Sequence, residues 1–169
     1  MVYNLSEEMA QVSTSVTFLE QWLNISGSKK NCKAMSLDLY NENVAGLYSA
    51  MANPGKKSSQ QQYLLRAFIF VQGINGAMTL ARKRETEEDN FLYVVPNEHL
   101  YDTISKDHIN LGHAGITKLM QYTRSKYSNV TQQAVTLYIS LCEECERKKK
   151  KDCSKSIIVK PIRSNAQTK

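Results

Sequence analysis

The sequence predicts a mostly α fold of the α+β class: a zinc-stapled three-helix bundle, preceded by a short antiparallel β-hairpin or three-stranded sheet and by N-terminal helices. Three observations predict it. Apolar residues recur every three or four positions in both the first and the last third of the chain. Between Tyr63 and Val95 the period changes to one that suits strands. Two histidines and two cysteines, finally, lie at metal-ligand spacing among the last helices.

The first helix is expected over about 6–24, started by Ser6 before Glu7 and Glu8, with Met9, Val12, Val16, Leu19 and Leu23 as its apolar face. A polar break at 26–34 separates it from a second helix over about 36–52, whose apolar side is Leu37, Tyr40, Val44, Leu47, Tyr48 and Met51. Asn53-Pro54-Gly55 stops that helix, and Lys56–Gln62 reads as a polar linker. Leu65, Phe68, Phe70 and Val71 then form a β-rich run. Gly73-Ile-Asn-Gly76 gives an Asn-Gly turn, and Ala77–Arg82 returns as the second strand of a hairpin. After an acidic loop at Glu85–Asn90, Phe91–Val95 is the expected third strand, stopped by Pro96.

Beyond Pro96 three short helices follow. Leu100, Ile104 and the Asp107/His108 pair mark the first, which Gly112 breaks. Ile116, Leu119, Met120 and Thr123 mark the second. Thr131 is the expected N-cap of the third, which carries Ala134, Val135, Tyr138, Ile139 and Leu141. This partitions the chain into a helical region 1–60, a small sheet 61–96, a zinc-binding unit 97–147 and a basic, flexible tail or linker 148–169. Three helices in so few residues make a small core, and such a unit ordinarily needs a metal or disulfides.

The chain has 169 residues, 22% of them charged, enough for one domain or two small ones. No apolar run approaches the roughly 20 residues that span a bilayer, and the N-terminus has no secretory pattern. An intracellular chain, in the nucleus or cytoplasm, is expected, with no membrane partner. Its four cysteines then favour metal chemistry over disulfides. Cys32 and Cys153 have no evident partner and read as plain thiols. The net charge of +6 is uneven: residues 146–169 hold nine Lys/Arg against Glu146 and Asp152, and the rest is slightly acidic. A localised basic block points to a polyanion.

The metal pattern is His108-x4-His113-x28-Cys142-x2-Cys145. Cys2His2 is a standard closed tetrahedral set for structural Zn2+, and Cys-x-x-Cys aims two sulfurs at one ion. Histidines five apart do not share a face of an unbroken helix. Gly112 lets the helix end after His108 and brings His113 back. One structural Zn2+ is therefore expected on His108, His113, Cys142 and Cys145. Cysteines come first in a zinc finger of the Cys2His2 kind, with a far shorter gap, so that reading does not fit. The third histidine, His99, reads as an ordinary surface or capping residue.

The segment His108-Ile-Asn-Leu-Gly-His113-Ala-Gly115-Ile-Thr-Lys118 resembles the His…Gly-His-x-Gly-x-x-Lys segment of retroviral and Gypsy-type retrotransposon integrases. Val135-x-x-Tyr138-Ile139-x-x-Cys142-x-x-Cys145-x-x-Lys148 resembles the segment that closes the same zinc-binding domain. The likeness covers about residues 64–150. Tyr127-Ser128-Asn129 departs from it, standing where many of these elements carry an aromatic-Trp-Pro segment, and brings the chain closer to integrase-derived host genes than to the Gypsy group proper. The resemblance implies a helix-turn-helix-like bundle closed by Zn2+ that supports multimerisation and contacts DNA, while cutting and joining belong to a following core with three metal-binding carboxylates. Only 24 residues follow Cys145 in this sequence, so no strand transfer is expected of it, and with no phosphate-binding glycine-rich loop, nucleophile elbow or well-set carboxylate pair no other enzyme activity is expected either.

Arg147, Lys148, Lys149, Lys150 and Lys151, directly after the Cys pair, are the expected DNA contacts, through weak, salt-sensitive phosphate neutralisation. A homo-oligomer or a protein partner gathered by the amphipathic N-terminal helices is the alternative, as is a truncated integrase fragment without a function of its own. No small-molecule substrate is expected.

Overall fold

The computed structural model describes residues 5–27, 34–72, 78–84, 86 and 90–153, with side chains described only for 12–150 within α1 and α7 below. The Ser6 helix start, the Met9 side chain, Cys32, the Gly73–Gly76 turn, most of the Glu85–Asn90 loop, the Lys151 and Cys153 side chains and the segment from 154 onward lie outside that description. The order is α1 (Leu5–Gly27), α2 (Leu37–Ala52), α3 (Ser59–Ala67), β1 (Phe68–Gln72), β2 (Met78–Arg82), β3 (Leu92–Tyr93), α4 (Asn97–Asn110), α5 (Ile116–Arg124), α6 (Gln132–Leu141) and α7 (Glu143–Cys153). The fold is thus mostly helical α+β. Among the described residues no helix is long and apolar enough to cross a membrane.

The three strands form an antiparallel sheet in the order β1-β2-β3, with Phe70 opposite Leu80 and Ala81 opposite Tyr93. The hairpin is where the alternation predicts it. Two neighbours are not. The expected linker 56–62 runs into α3, whose start is fixed by a capping box: the Ser58 hydroxyl accepts from the Gln61 N–H, and the Gln61 side chain accepts from the Ser58 N–H. Leu65, expected in a strand, is therefore helical. Of the tail expected over 148–169, the first residues are helical, because α7 continues to Cys153; the remainder lies outside the described residues. The Lys-rich stretch of α7 favours helix over coil.

Two apolar clusters organise the molecule. One gathers Leu47, Leu64, Phe68, Leu80 and Val94 between α2, α3 and the sheet. The other gathers Val95, Leu100, Ile104, Leu119, Met120, Val130, Ala134, Val135, Tyr138 and Ile139 between α4, α5 and α6, and it also contains Phe18 and Trp22 of α1. The helical region 1–60 is therefore shared between the two clusters, α1 with the bundle and α2 with the sheet. Helix α1 shares the bundle core, where Phe18 and Trp22 are fully buried and the Trp22 indole N–H donates to Asn97 Oδ1 at 3.0 Å. The expected apolar face of α1 is the wrong one. Val12, Val16 and Leu23 stay largely exposed, because Phe18, Trp22 and Ile25 offer a competing i, i+4, i+7 stripe with more area to bury. On α2 the same happens to Tyr48 and Met51, which face out while Asn43, Leu47 and Ala50 face in.

Sheet and bundle are joined at 127–129. Tyr93 N–H donates to Lys126 O, Ser128 N–H donates to Tyr93 O, and the Asn129 amide both accepts from Val95 N–H at 3.0 Å and donates to Val95 O at 2.6 Å. The buried Asn129 side chain thus satisfies the backbone where β3 gives way to α4.

Candidate metal centre

The four predicted ligands converge. His108 is fully buried on the last turn of α4. His113 follows that helix, Cys142 stands between α6 and α7, and Cys145 is buried in the first turn of α7. One donor atom from each lies within 4.8 Å of all the others.

The histidines meet through the way α4 ends. Gly112 N–H donates to Ile109 O at 2.9 Å and His113 N–H to His108 O at 2.9 Å, the paired bonds of a Schellman motif. Gly112 takes φ +64° and His113 φ +59°. Glycine adopts that region freely; histidine does so at some strain, held here by its surroundings. The left-handed pair reverses the chain and lays the His113 ring edge-on against His108, centroids 4.8 Å apart.

The cysteines are placed by a helix break. Cys142 leaves helical geometry at φ −79° and ψ 111°, yet its carbonyl accepts from Glu146 N–H at 3.0 Å, so it closes α6 and opens α7 at once. Its Sγ lies 3.5 Å from His113 Nδ1, and Cys145 Sγ lies 3.2 Å from His108 Nε2. Donors held about 2.0–2.3 Å from one tetrahedral ion stand roughly 3.3–3.8 Å apart. These two separations are close to the edges of such a tetrahedron, and with all four donors within 4.8 Å of one another the cluster can hold one metal ion.

The electrostatics hold the two buried donors in their neutral forms. Burial, then His113 and Lys148, hold the His108 imidazole below its ordinary pKa, keeping it in the neutral form that ligates. Burial and the Cys142 sulfur push the Cys145 thiol up, against the pull of Lys148 and Lys149. Two thiolates side by side are unfavourable without a divalent ion between them. Ligation through His108 Nε2 leaves the proton on Nδ1, which has no protein partner, and neither does the buried Asp107 Oδ2 beside it in sequence.

A row of rings backs the site. His108 packs edge-on against Tyr138 at 5.3 Å, Tyr138 against Tyr101 at 5.4 Å, and Tyr101 against Phe18 of α1 at 5.7 Å. Tyr138 OH donates to Ser105 Oγ, and burial pushes its pKa up to about 12. Lys126 braces α4 from the other side, its Nζ donating to Asp107 Oδ1 at 3.2 Å and to Tyr122 OH at 2.7 Å. Sequence reasoning missed this brace, which pairs residues from separate elements, and it missed Phe18. The signal for Phe18 was present in its i+4 spacing from Trp22, the single tryptophan of the chain.

The expected basic contacts lie on α7 but are not equivalent. Arg147 pairs with Glu144, and Lys150 lies 3.6 Å from Glu146. Lys148 and Lys149 are exposed and form no ion pair among the described residues.

No family model matches the chain, and no solved structure does. The chain is 32% identical over 149 residues to KRAB-A domain-containing protein 2 of Homo sapiens. The match covers 87% of this chain and 30% of the human protein, so the chain spans less than a third of that relative's length. The likeness to a host protein expected from the sequence is thereby supported.

Proposed function

We propose that residues 97–153 are an integrase-type zinc-binding module that holds one structural Zn2+ on His108, His113, Cys142 and Cys145 and binds DNA through the basic helix α7. The observation that carries this reading is the convergence of the two histidines and two cysteines at the root of that helix. Two neutral nitrogens and two sulfurs suit Zn2+ better than hard, oxygen-seeking cations. Four protein donors fill its tetrahedral shell, which makes the ion a staple without an open position for chemistry. In this reading α5 and α6 are the helix-turn-helix-like pair, the module acts in the nucleus, and it does not itself cut or join DNA.

Helix α7 is buried only at Cys145 among its described side chains. A metal on Cys145 therefore sets the direction in which Lys148 and Lys149 project. Backbone phosphates would meet those cations with little sequence preference. Fluorescence anisotropy with duplex DNA tests the reading: zinc-loaded chain binds, added salt weakens binding, and the paired substitution Lys148→Ala and Lys149→Ala removes most of it. Binding that is absent, or indifferent to salt and to those substitutions, refutes it.

A further inference from the structure

The two cysteines of the cluster differ in what can reach them. Cys145 is 8% exposed, with its sulfur turned to His108. Cys142 is half-buried and lines an open cleft of about 850 Å3 together with Val12, Tyr101, Ile109, His113 and Leu141, a lining to which Cys145 does not contribute. A small oxidant in that cleft therefore meets the Cys142 sulfur, and Cys145 stands behind it. Accessible sulfurs react, whereas buried ones stay inert.

The local fold also holds the pair ready to join. Cys142 opens α7 from the N-cap position, its carbonyl accepting from Glu146 N–H, and Cys145 is the third residue of that helix. A side chain at the N-cap folds back over the third helical residue, which is how a capping serine reaches it. The two sulfurs accordingly lie within 4.8 Å of each other. A disulfide bond is about 2.05 Å long, and Cys142, outside helical geometry, is free to rotate towards its neighbour. We propose that Cys142 and Cys145 form a peroxide-oxidisable dithiol, in which the Cys142 sulfur reacts with the peroxide and the Cys145 sulfur resolves the product into an intramolecular disulfide.

The steps balance without a further reactant. The Cys142 sulfur attacks one oxygen of hydrogen peroxide, the O–O bond breaks, a sulfenic acid forms, and water leaves with the thiol proton. The Cys145 sulfur then attacks the Cys142 sulfur. The S–S bond forms, the S–O bond breaks, and hydroxide leaves with the Cys145 proton as a second water. Two thiols lose two electrons, and peroxide accepts them. What this does to a bound ion rests on the zinc reading above. A disulfide offers no thiolate donor, so only His108 and His113 remain, and oxidation expels the ion from the root of α7. A thiol reductant reverses the change.

Peptide mapping by mass spectrometry, on the full wild-type chain as purified and treated with one equivalent of hydrogen peroxide, tests it. The first disulfide joins Cys142 to Cys145. A chromophoric chelator that takes no zinc from the untreated chain records one zinc ion released for each disulfide formed, and dithiothreitol restores the thiols and the metal. Limiting iodoacetamide on the untreated chain labels Cys142 at least about tenfold faster than Cys145, and urea abolishes that preference because it comes from the fold. A chain that holds no zinc defeats the zinc reading alone, and the mapping and labelling still decide the dithiol. A first disulfide through Cys32 or Cys153, equal labelling of Cys142 and Cys145, a preference that survives in urea, or zinc that stays bound after the disulfide has formed overturns the proposal.

Discussion

Replacing Gly112 by alanine isolates the contribution of a single backbone angle to the metal centre. A Cβ built at Gly112 meets nothing within 4 Å, so the substitution introduces no clash, and its cost is that of placing an L-residue at φ +64°. That cost is about 1–2 kcal/mol. The chain can avoid it by unwinding the last turn of α4. Doing so breaks the bonds from Gly112 to Ile109 and from His113 to His108 and draws His113 away from Cys142. The strain therefore falls on the state in which all four ligands meet. Gly112→Ala should weaken zinc binding by roughly 5–30-fold, the factor that 1–2 kcal/mol represents. Gly112→Asn should weaken it less, because asparagine tolerates the left-handed region better. Competition against a chromophoric chelator measures the affinities directly. Equal zinc affinity in wild type and Gly112→Ala would refute the argument that the left-handed turn assembles the site.

Trp22→Ala should destabilise the chain by about 3–5 kcal/mol in urea unfolding, since it empties a buried site and strips Asn97 Oδ1 of its donor; a loss under about 1 kcal/mol would remove α1 from the bundle core. Chelation, or Cys145→Ser, should lower the thermal midpoint and reduce helical circular dichroism, and a chain that keeps both after complete metal removal would defeat the staple. In the metal-free chain, His108 is held below its ordinary imidazole value of 6.5 by burial, then by His113 and Lys148. The unfolded chain therefore binds the proton first: stability is full above pH 6.5 and falls as pH drops below it towards the depressed folded value. His108→Gln should flatten that decline, and a decline that persists unchanged in the variant counts against it. With Lys148 and Lys149 as the α7 cations outside ion pairs among the described residues, log affinity for duplex DNA should fall against log salt with a slope near about −2, whereas five engaged cations would give about −4.5.

The clustering of His108, His113, Cys142 and Cys145 was legible because metal-binding chemistry is local to residue type: histidine, cysteine and a glycine between the histidines leave few alternatives. Thr131 was legible for the same reason, its hydroxyl accepting from Ala134 N–H as an N-cap should. The hairpin followed from its alternation. What misled was choice between faces. Helix α1 offers two apolar stripes, and periodicity ranks them equally; only the tertiary partner, a bundle with room for Phe18 and Trp22, decides which goes inward. Helix α3 was hidden by its polar residues, although Ser58 and Gln61 spell a capping box. Helix α7 was hidden because charge was read as a tail signal. The Asp107–Lys126 brace and the Asn129 joint could not be read at all, since each links elements whose adjacency exists only in the fold.

The row of rings from Phe18 through Tyr101 and Tyr138 to His108 and His113 has a thermodynamic implication. Its ends belong to different parts of the chain: one lies on α1, packed into the bundle core, and the other lies in the His108, His113, Cys142 and Cys145 cluster, which can hold a metal ion. If filling the cluster tightens the packing of the next ring, ion occupancy and the docking of α1 on the bundle are linked, and linkage is reciprocal: whatever factor an ion adds to the docking of α1, docked α1 returns to the ion. Metal affinity would then depend on how firmly α1 is docked, and a substitution on α1 would loosen the ion without touching a ligand.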